Sequence, residues 1–581
     1  MRDEAKTTAK IAGGVAGVVA TVLVVVAPGF GFGGLDLGRS TSGARDGPRS
    51  EVTFADDIAP IVERECVVCH NAEGSAPFSL TRYDQVRDKA DRIARATTAR
   101  AMPPWLPAAE PGTFAGERIL TEEEIGKIRS WVEAGSPPGD TARLELSAEQ
   151  AGWDPGEPDL VVGLPSIQLP ADGADRYRNL VVSIPVPERR WVEYVELRPG
   201  SRTAVHHARM MIDTTRSSAE LAAEDPEPGF DGMDLLSSAT NPPGHFIGWT
   251  PGKTRLEPLE GMAWPLEPGT DLVVQLHLRT TGEPEEVAAE VAFHFADEPA
   301  RRHPAVLVVS SLIIDIPPGE PEYTVSNSFT LPVDVEVLSV YPHAHFLGKD
   351  LQAYAILPDG RERSLIRIPD WDFNWQDDYR FARPLSLPAG TQIVKRFVYD
   401  NSAGNPRNPS DPPKRVVYGS NSDDEMADLI LQVLPQSDAD RETLLRAQAW
   451  QHESEDMAYL AHVEHAAGAA ALANDDLDEA THRFQEALQY RADHVPSLVG
   501  LARTFGRRGD WSSSLLIARQ AELMSGGSDA RALDVLSAAQ AAVGDVPAAV
   551  ASAQQGLTLA RASGDDALAA VFEARLRQLG G

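Results

Sequence analysis

Five histidines and a methionine carry the most chemistry in this chain: His206-His207, then Gln275-Leu-His277, then His343-Ala-His345, then Met426. They sort into two groups of three. Imidazole binds copper in either oxidation state, and a thioether favours Cu(I). His206, His207 and His277 form one donor set, and His343, His345 and Met426 the other. Both suit copper ions that cycle between Cu(I) and Cu(II). A dedicated zinc site would draw more on carboxylate or thiolate. On a strand, residues i and i+2 face the same side, so His343 and His345 can share an ion. Adjacent His206 and His207 would diverge on a regular strand, so sharing an ion requires a bulge or a strand end. The other histidines of this region, His245, His294 and His303, read as structural or surface residues.

A second centre is written in Cys66-Val-Val-Cys69-His70. Cys-x-x-Cys-His is the attachment signature of c-type haem. The two thiols reach the two vinyl groups, and His70 ligates the iron. A zinc site would need two more ligands, and residues 51–150 hold no other His or Cys. Met102, in Ala101-Met-Pro-Pro-Trp105, is the one methionine there and the candidate sixth ligand. Thioether ligation raises the reduction potential, as suits an electron carrier. The chain has 2 cysteines, so no structural disulfide is expected.

These groups need elements to position them. Residues 51–150 read as helical. Tyr83 to Thr98 has helical spacing, and Thr121 caps a helix with Ile125, Ile128 and Trp131 on one face. From 155 to 440 the texture becomes β: Leu180-Val-Val-Ser-Ile, Trp191-Val-Glu-Tyr-Val-Glu-Leu, Asp271-Leu-Val-Val-Gln-Leu-His-Leu and Val335-Glu-Val-Leu-Ser-Val-Tyr alternate between Gly- and Pro-rich turns. The span suits two all-β sandwiches, over 155–305 and 306–440. From 450 to 581 the chain is Ala-rich and helical. Turn aspartates recur at Asp476, Asp510 and Asp545, each followed four positions on by a small residue, Ala480, Ser514 or Ala549. That period of about 34 residues resembles tetratricopeptide repeats, a stacking scaffold or protein-binding surface.

The 581 residues are too many for one core, and 42% hydrophobic with 24% charged residues is ordinary globular composition. A net charge of -33 excludes nucleic acid and an anionic membrane surface as partners. Residues 1–28 carry Arg2, Lys6 and Lys10 before an apolar run, Ile11 to Ala27, at the short limit for a spanning helix. They are expected to be an uncleaved membrane anchor, with a cleaved signal as the alternative. Either exports the chain, so a periplasmic or cell-surface location is expected. Residues 29–50 read as a linker.

Residues 155–440 resemble the copper type II, ascorbate-dependent monooxygenases, the family of peptidylglycine α-hydroxylating and dopamine β-monooxygenases. The family pattern is a His-His pair with a later His, then a His-x-His pair with a later Met. Gly348 after the His-x-His, Glu425 before Met426, and Gln275 before His277 match it too. The resemblance implies two jelly-roll-like sandwiches with one copper each. It implies that His206, His207 and His277 hold an electron-storing copper. It further implies that His343, His345 and Met426 hold the copper that activates O2 at a substrate C–H bond, and that Gln275 belongs to the catalytic set. At the positions where the peptide-hydroxylating member grips its substrate carboxylate this chain has Tyr341 and Ile430, so a glycine-extended peptide is not the expected substrate.

The chain is therefore expected to be a copper monooxygenase acting with O2 on a small organic molecule. It has a fused cytochrome c-like haem domain and C-terminal repeats that take a protein partner. Single electrons are expected from an external donor, ascorbate-like or a redox protein, relayed through the haem to the copper at His206, His207 and His277. The alternative is a non-catalytic electron-transfer or copper-binding envelope protein.

Overall fold

In a computed structural model, residues 52–580 are described apart from 72, 73, 75, 141–145, 147–152, 154, 155, 233–237, 252, 254, 255 and 420. The expected anchor and linker, 1–50, lie outside the described residues. Among the described residues no helix is long and apolar enough to cross a membrane.

The N-terminal part is helical: Phe54–Ile58 running into Ala59–Glu65, then Tyr83–Asp88, Ala90–Thr98 and Glu122–Glu133. Thr121 caps the last of these. Its hydroxyl accepts from Glu124 N–H at 3.2 Å, and the Glu124 carboxylate accepts from Thr121 N–H at 2.8 Å. Ile125, Ile128 and Trp131 bury their common face against Phe54, Ile58, Val62 and Val86. The single helical run read over Tyr83 to Thr98 breaks at Lys89.

The middle of the chain is β-rich and has two cores. In the first half a four-stranded sheet (Leu160–Gly163, Arg190–Arg198, Trp264–Leu266, Glu290–Phe295) and a five-stranded sheet share one core. The second sheet runs in the order Phe230–Asp231, Arg176–Ser183, Asp271–Leu278, Val205–Asp213, Ile247–Trp249. In the second half, a sheet ordered Ala305–Ser310, Asp428–Pro435, Val335–His343, Tyr379–Leu387 packs on another ordered Tyr323–Thr330, Gln392–Tyr399, Gly348–Ile356, Glu362–Ile368. Apolar residues on alternate positions of these strands drive the burial.

The second core is completed from outside its own strands. Phe114, from the N-terminal part, is buried in it, and backbone bonds hold its segment there. Ala108 N–H donates to Arg367 O at 2.8 Å, Ala115 N–H to Arg380 O at 2.8 Å, and Ala382 N–H to Thr113 O at 3.0 Å. On the other side the helix Asp438–Ala473 brings Leu444 into the same core. That helix opens a C-terminal array: Leu477–Tyr490, Val495–Arg507, Trp511–Met524, Ala530–Ala542, Val546–Ala562 and Asp566–Leu579. Asp476, Asp510 and Asp545 are the N-caps that start successive helices. Small residues mark the tight crossings. Gly500 lies where any Cβ would fall 2.4 Å from the Phe484 ring.

One buried charge sits among these strands. Lys395 is fully buried, donates to Ala427 O, and lies near Asp428 and Glu455. Burial pulls its ammonium down to about 7, against the two carboxylates. Between pH 7 and 10.5 the unfolded chain holds this proton while the folded chain has lost it, so stability rises with pH. Lys395→Met is expected to remove that slope, roughly 1.4 kcal/mol per pH unit, and to raise stability below pH 7. Urea unfolding between pH 6 and 10 measures it.

Candidate functional site

The strand Val205–Asp213 pairs with Asp271–Leu278, but the register slips between Val205 and His207. His206 is the extra residue of that irregularity, which lets adjacent histidines serve one side of the sheet. His207 lies directly opposite His277. On the far side of His277 lies Tyr177, its ring stacked at 4.3 Å and 7°. His206, His207 and His277 each offer a nitrogen within 4.8 Å of the others.

Their other nitrogens determine which atoms converge. His277 Nε2 lies 2.9 Å from Asp175 Oδ2, and a carboxylate takes an N–H there. His206 Nε2 lies 3.2 Å from Asn374 Oδ1. The orientation of that amide is set because its Nδ2 donates to Asp372 Oδ1 at 2.8 Å, while Arg279 donates to Oδ1 at 3.3 Å. Both imidazoles therefore carry their protons on Nε2, and their Nδ1 lone pairs point inward. His206 Nδ1 is 3.1 Å and His277 Nδ1 3.4 Å from His207 Nδ1. A cation among these three nitrogens, or a proton on His207 Nδ1, satisfies the two inward lone pairs.

The second group is built the other way round. Strand Val335–His343 ends at His343 and His345 lies just beyond, so the pair straddles a strand end instead of sharing a strand. Their rings are 5.2 Å apart. His343 Nδ1 lies 2.6 Å from Gln376 Oε1, whose amide nitrogen donates to Phe373 O at 3.1 Å. His345 Nδ1 lies 3.1 Å from Asp424 O. Both are acceptors, so these rings keep their lone pairs on Nε2. His345 Nε2 is buried and has no hydrogen-bond partner among the described residues. A buried polar atom left so calls for an ion or a water.

Met426 is tied to this pair through Glu425. The fully buried Glu425 carboxylate accepts from the N–H groups of His345 (2.9 Å), Leu347 (2.7 Å) and Met426 (3.1 Å). Burial pushes its carboxyl up to about 8, against the pull of those three donors. Tyr399 donates to Met426 O at 2.7 Å. Trp371 donates its indole N–H to His345 O at 3.0 Å and packs on Gly348, where a Cβ would fall 2.5 Å from its ring. Tyr341 and Ile430 are cross-strand partners, and Tyr341 donates to Gln376 at 3.1 Å.

The two groups face one aromatic ring. Phe373 lies 5.5 Å from the His345 ring, 5.9 Å from His206, and 6.4 Å from both His207 and His277. Gln275 stands apart from this ring system in the contacts it makes. It is buried on the His277 strand, and its amide donates to Asn179 Oδ1 at 3.0 Å.

At the Cys pair, His70 N–H bonds to Cys66 O and His70 Nδ1 lies 2.9 Å from Phe78 O, which leaves Nε2 free to ligate. Burial raises the Cys66 thiol to about 12. A Cβ at Gly74 would fall 1.9 Å from Cys69 O, so that loop needs glycine. Met102 follows the helix Ala90–Thr98 and is more than one-third exposed. Between the two cysteines, Val68 lines a cavity with Phe246, Ile247 and Trp249. Strand Ile247–Trp249 is bonded to the one carrying His206 and His207.

Asp175, Tyr177 and Asn374 were not foreseen from the sequence. Nor were Phe373 and Gln376, although Trp371-Asp-Phe-Asn-Trp-Gln376 is unusually rich in aromatic and amide side chains for a loop.

No family model and no curated protein matches the chain. Solved structures similar to its C-terminal helical array are tetratricopeptide domains. One is the Arabidopsis OM64 domain, 19% identical over 21% of this chain and 98% of that one, with a TM-score of 0.19. Another is PcrH from Pseudomonas aeruginosa, 20% identical over 21% and 92%, with a TM-score of 0.20. A third is the first such domain of Spaghetti (RPAP3), 15% identical over 21% and 92%, with a TM-score of 0.19.

Burial holds His206, His207, His343 and His345 below their ordinary value. Burial lowers His206 to about 4 and His345 to about 3, and keeps His207 well below its ordinary value. In the metal-free chain, His345 cannot take a proton that the unfolded chain accepts below pH 6.5. Stability therefore falls as pH drops from 6.5 towards 3. His345→Phe is expected to reduce that fall by roughly 1.4 kcal/mol per pH unit. Denaturant titration of metal-free protein at pH 6.5, 5.5 and 4.5 reads it.

Proposed function

We propose that this chain is a copper-dependent monooxygenase that hydroxylates a C–H bond of a small organic molecule. The carrying observation is the convergence of donors: three Nδ1 atoms gathered at His206, His207 and His277, and a buried, partnerless Nε2 on His345 beside His343. Neutral nitrogen donors without a carboxylate in the set suit copper. Met426, bound through Glu425 to the His345 backbone, is the thioether that completes the second centre. Bound here, copper supplies one-electron chemistry and activation of O2. The overall reaction takes R–H, O2, two electrons and two protons to R–OH and water. The protein fixes four of the five rings, those of His206, His277, His343 and His345, by an outer hydrogen bond.

Cys66, Cys69 and His70 would hold a covalent haem c, with Met102 as sixth ligand. The support is His70, whose Nδ1 is committed to Phe78 O. The docked segment at Phe114 keeps this part of the chain beside the β-rich region, so its electrons arrive at high effective concentration. Val68 lines a cavity together with the strand bonded to the one carrying His206 and His207, and this is the support for a relay into that centre. The repeats would serve as a surface for a protein partner, and an exported location remains part of the reading.

Metal analysis of the purified chain tests the whole. The expected content is two copper ions and one haem iron per chain. One copper, or zinc, overturns the paired-site reading. O2 uptake with product analysis against candidate organic substrates then separates an oxygenase from an electron-transfer protein. For the relay, anaerobically reduced haem is expected to reoxidise on mixing with Cu(II)-loaded protein. His206→Ala/His207→Ala is expected to abolish this at least tenfold. Stopped-flow absorbance in the haem bands reads it, and reoxidation independent of those histidines ends the relay.

A further inference from the structure

One segment touches both groups of histidines. From Trp371 to Gln376, the chain gives Trp371 to His345 O, Asn374 to His206 Nε2 and Gln376 to His343 Nδ1, with Phe373 packed between. His206 belongs to the first β core, yet its outer partner comes from the second. We infer that Trp371–Gln376 is a positioning element shared by both metal centres, through which the second half of the β region sets metal affinity in the first. The inference rests on the copper reading above.

An imidazole binds metal only through the nitrogen that lacks hydrogen. Asn374 Oδ1 can only accept, because its amide is oriented by Asp372 and Arg279. It thereby holds the His206 proton on Nε2 and the lone pair on Nδ1, facing His207 and His277. Gln376 Oε1 does the converse for His343, holding the proton on Nδ1; Tyr341 and Phe373 O orient that amide. Two amides two positions apart thus select opposite tautomers in two centres. Removing such an outer partner typically weakens metal binding about 10–100-fold.

The test uses full-length protein stripped of copper and titrated with Cu(I) against a competing chromophoric chelator. Cu(II) EPR identifies the centre, with His206→Ala/His207→Ala and His343→Ala/His345→Ala assigning the two signals. Asn374→Leu is expected to weaken the three-histidine centre about 10–100-fold and leave the other unchanged. Gln376→Leu is expected to do the reverse. Asp372→Asn/Asn374→Asp exchanges carboxylate and amide, so an acceptor stays on His206 without two carboxylates meeting, and is expected to restore affinity towards wild type. If Asn374→Leu binds like wild type, or the double variant is no better than Asn374→Leu, the shared-element inference is overturned. If His206→Ala/His207→Ala removes no copper from the wild-type content, the copper reading itself falls and takes this inference with it.

Discussion

A neutral imidazole has one lone pair, and whatever its other nitrogen touches decides where that lone pair points. The structure applies this constraint four times. Asp175 and Asn374 accept from the Nε2–H groups of His277 and His206. Gln376 and Asp424 O accept from the Nδ1–H groups of His343 and His345. The choice follows from where the rings stand. His206, His207 and His277 rise from adjacent strands within one sheet, and Nδ1, the nitrogen nearer the backbone, is the one that meets over closely spaced Cα atoms. His343 and His345 straddle a strand end, and Glu425 ties the His345 backbone to that of Met426.

Neutrality is the second half of the constraint. A protonated imidazole cannot ligate, so a ligand histidine must resist protonation near neutral pH. Burial does that work at His207 and His345, assisted by like-charged neighbours in each cluster. The same burial is costly for a carboxylate: it pushes the Glu425 carboxyl up to about 8 even though three backbone N–H groups replace water around it. Glu425 thus joins the two parts of the second centre, which are 80 residues apart in the chain.

What was legible in the sequence was what local pattern encodes. The strands at Leu180, Trp191, Asp271 and Val335 are alternating or β-branched runs, and the C-terminal helices repeat with their aspartate caps. The need for an irregularity at His206 followed from two neighbouring side chains having to serve one ion. The outer partners were hidden because nothing local specifies them. Asn374 lies 168 residues from His206, and Asp175 102 from His277. Only the fold brings them together. At Lys89, whose φ of -110° and ψ of 4° leave the helical region, a helix whose pattern reads as continuous is broken in two.

The docking of Phe114 into the second core bears on why the shared segment can be so exacting. Trp105 packs edge-on against Tyr379 at 5.4 Å, three residues beyond Gln376. On the opposite flank the helix Asp438–Ala473 is bonded to the outer strand, with His452 at 3.1 Å from Val308 O and Arg441 donating to Pro304 O at 2.9 Å. The sheet that presents Trp371–Gln376 is thus clamped by chain from before and after it. A hydrogen bond that selects a tautomer must hold its acceptor to within a few tenths of an ångström, because the interaction weakens steeply with distance and angle. An element fixed on both flanks can do this across a boundary between two cores, whereas one tethered at a single end would leave the His206 proton free to move.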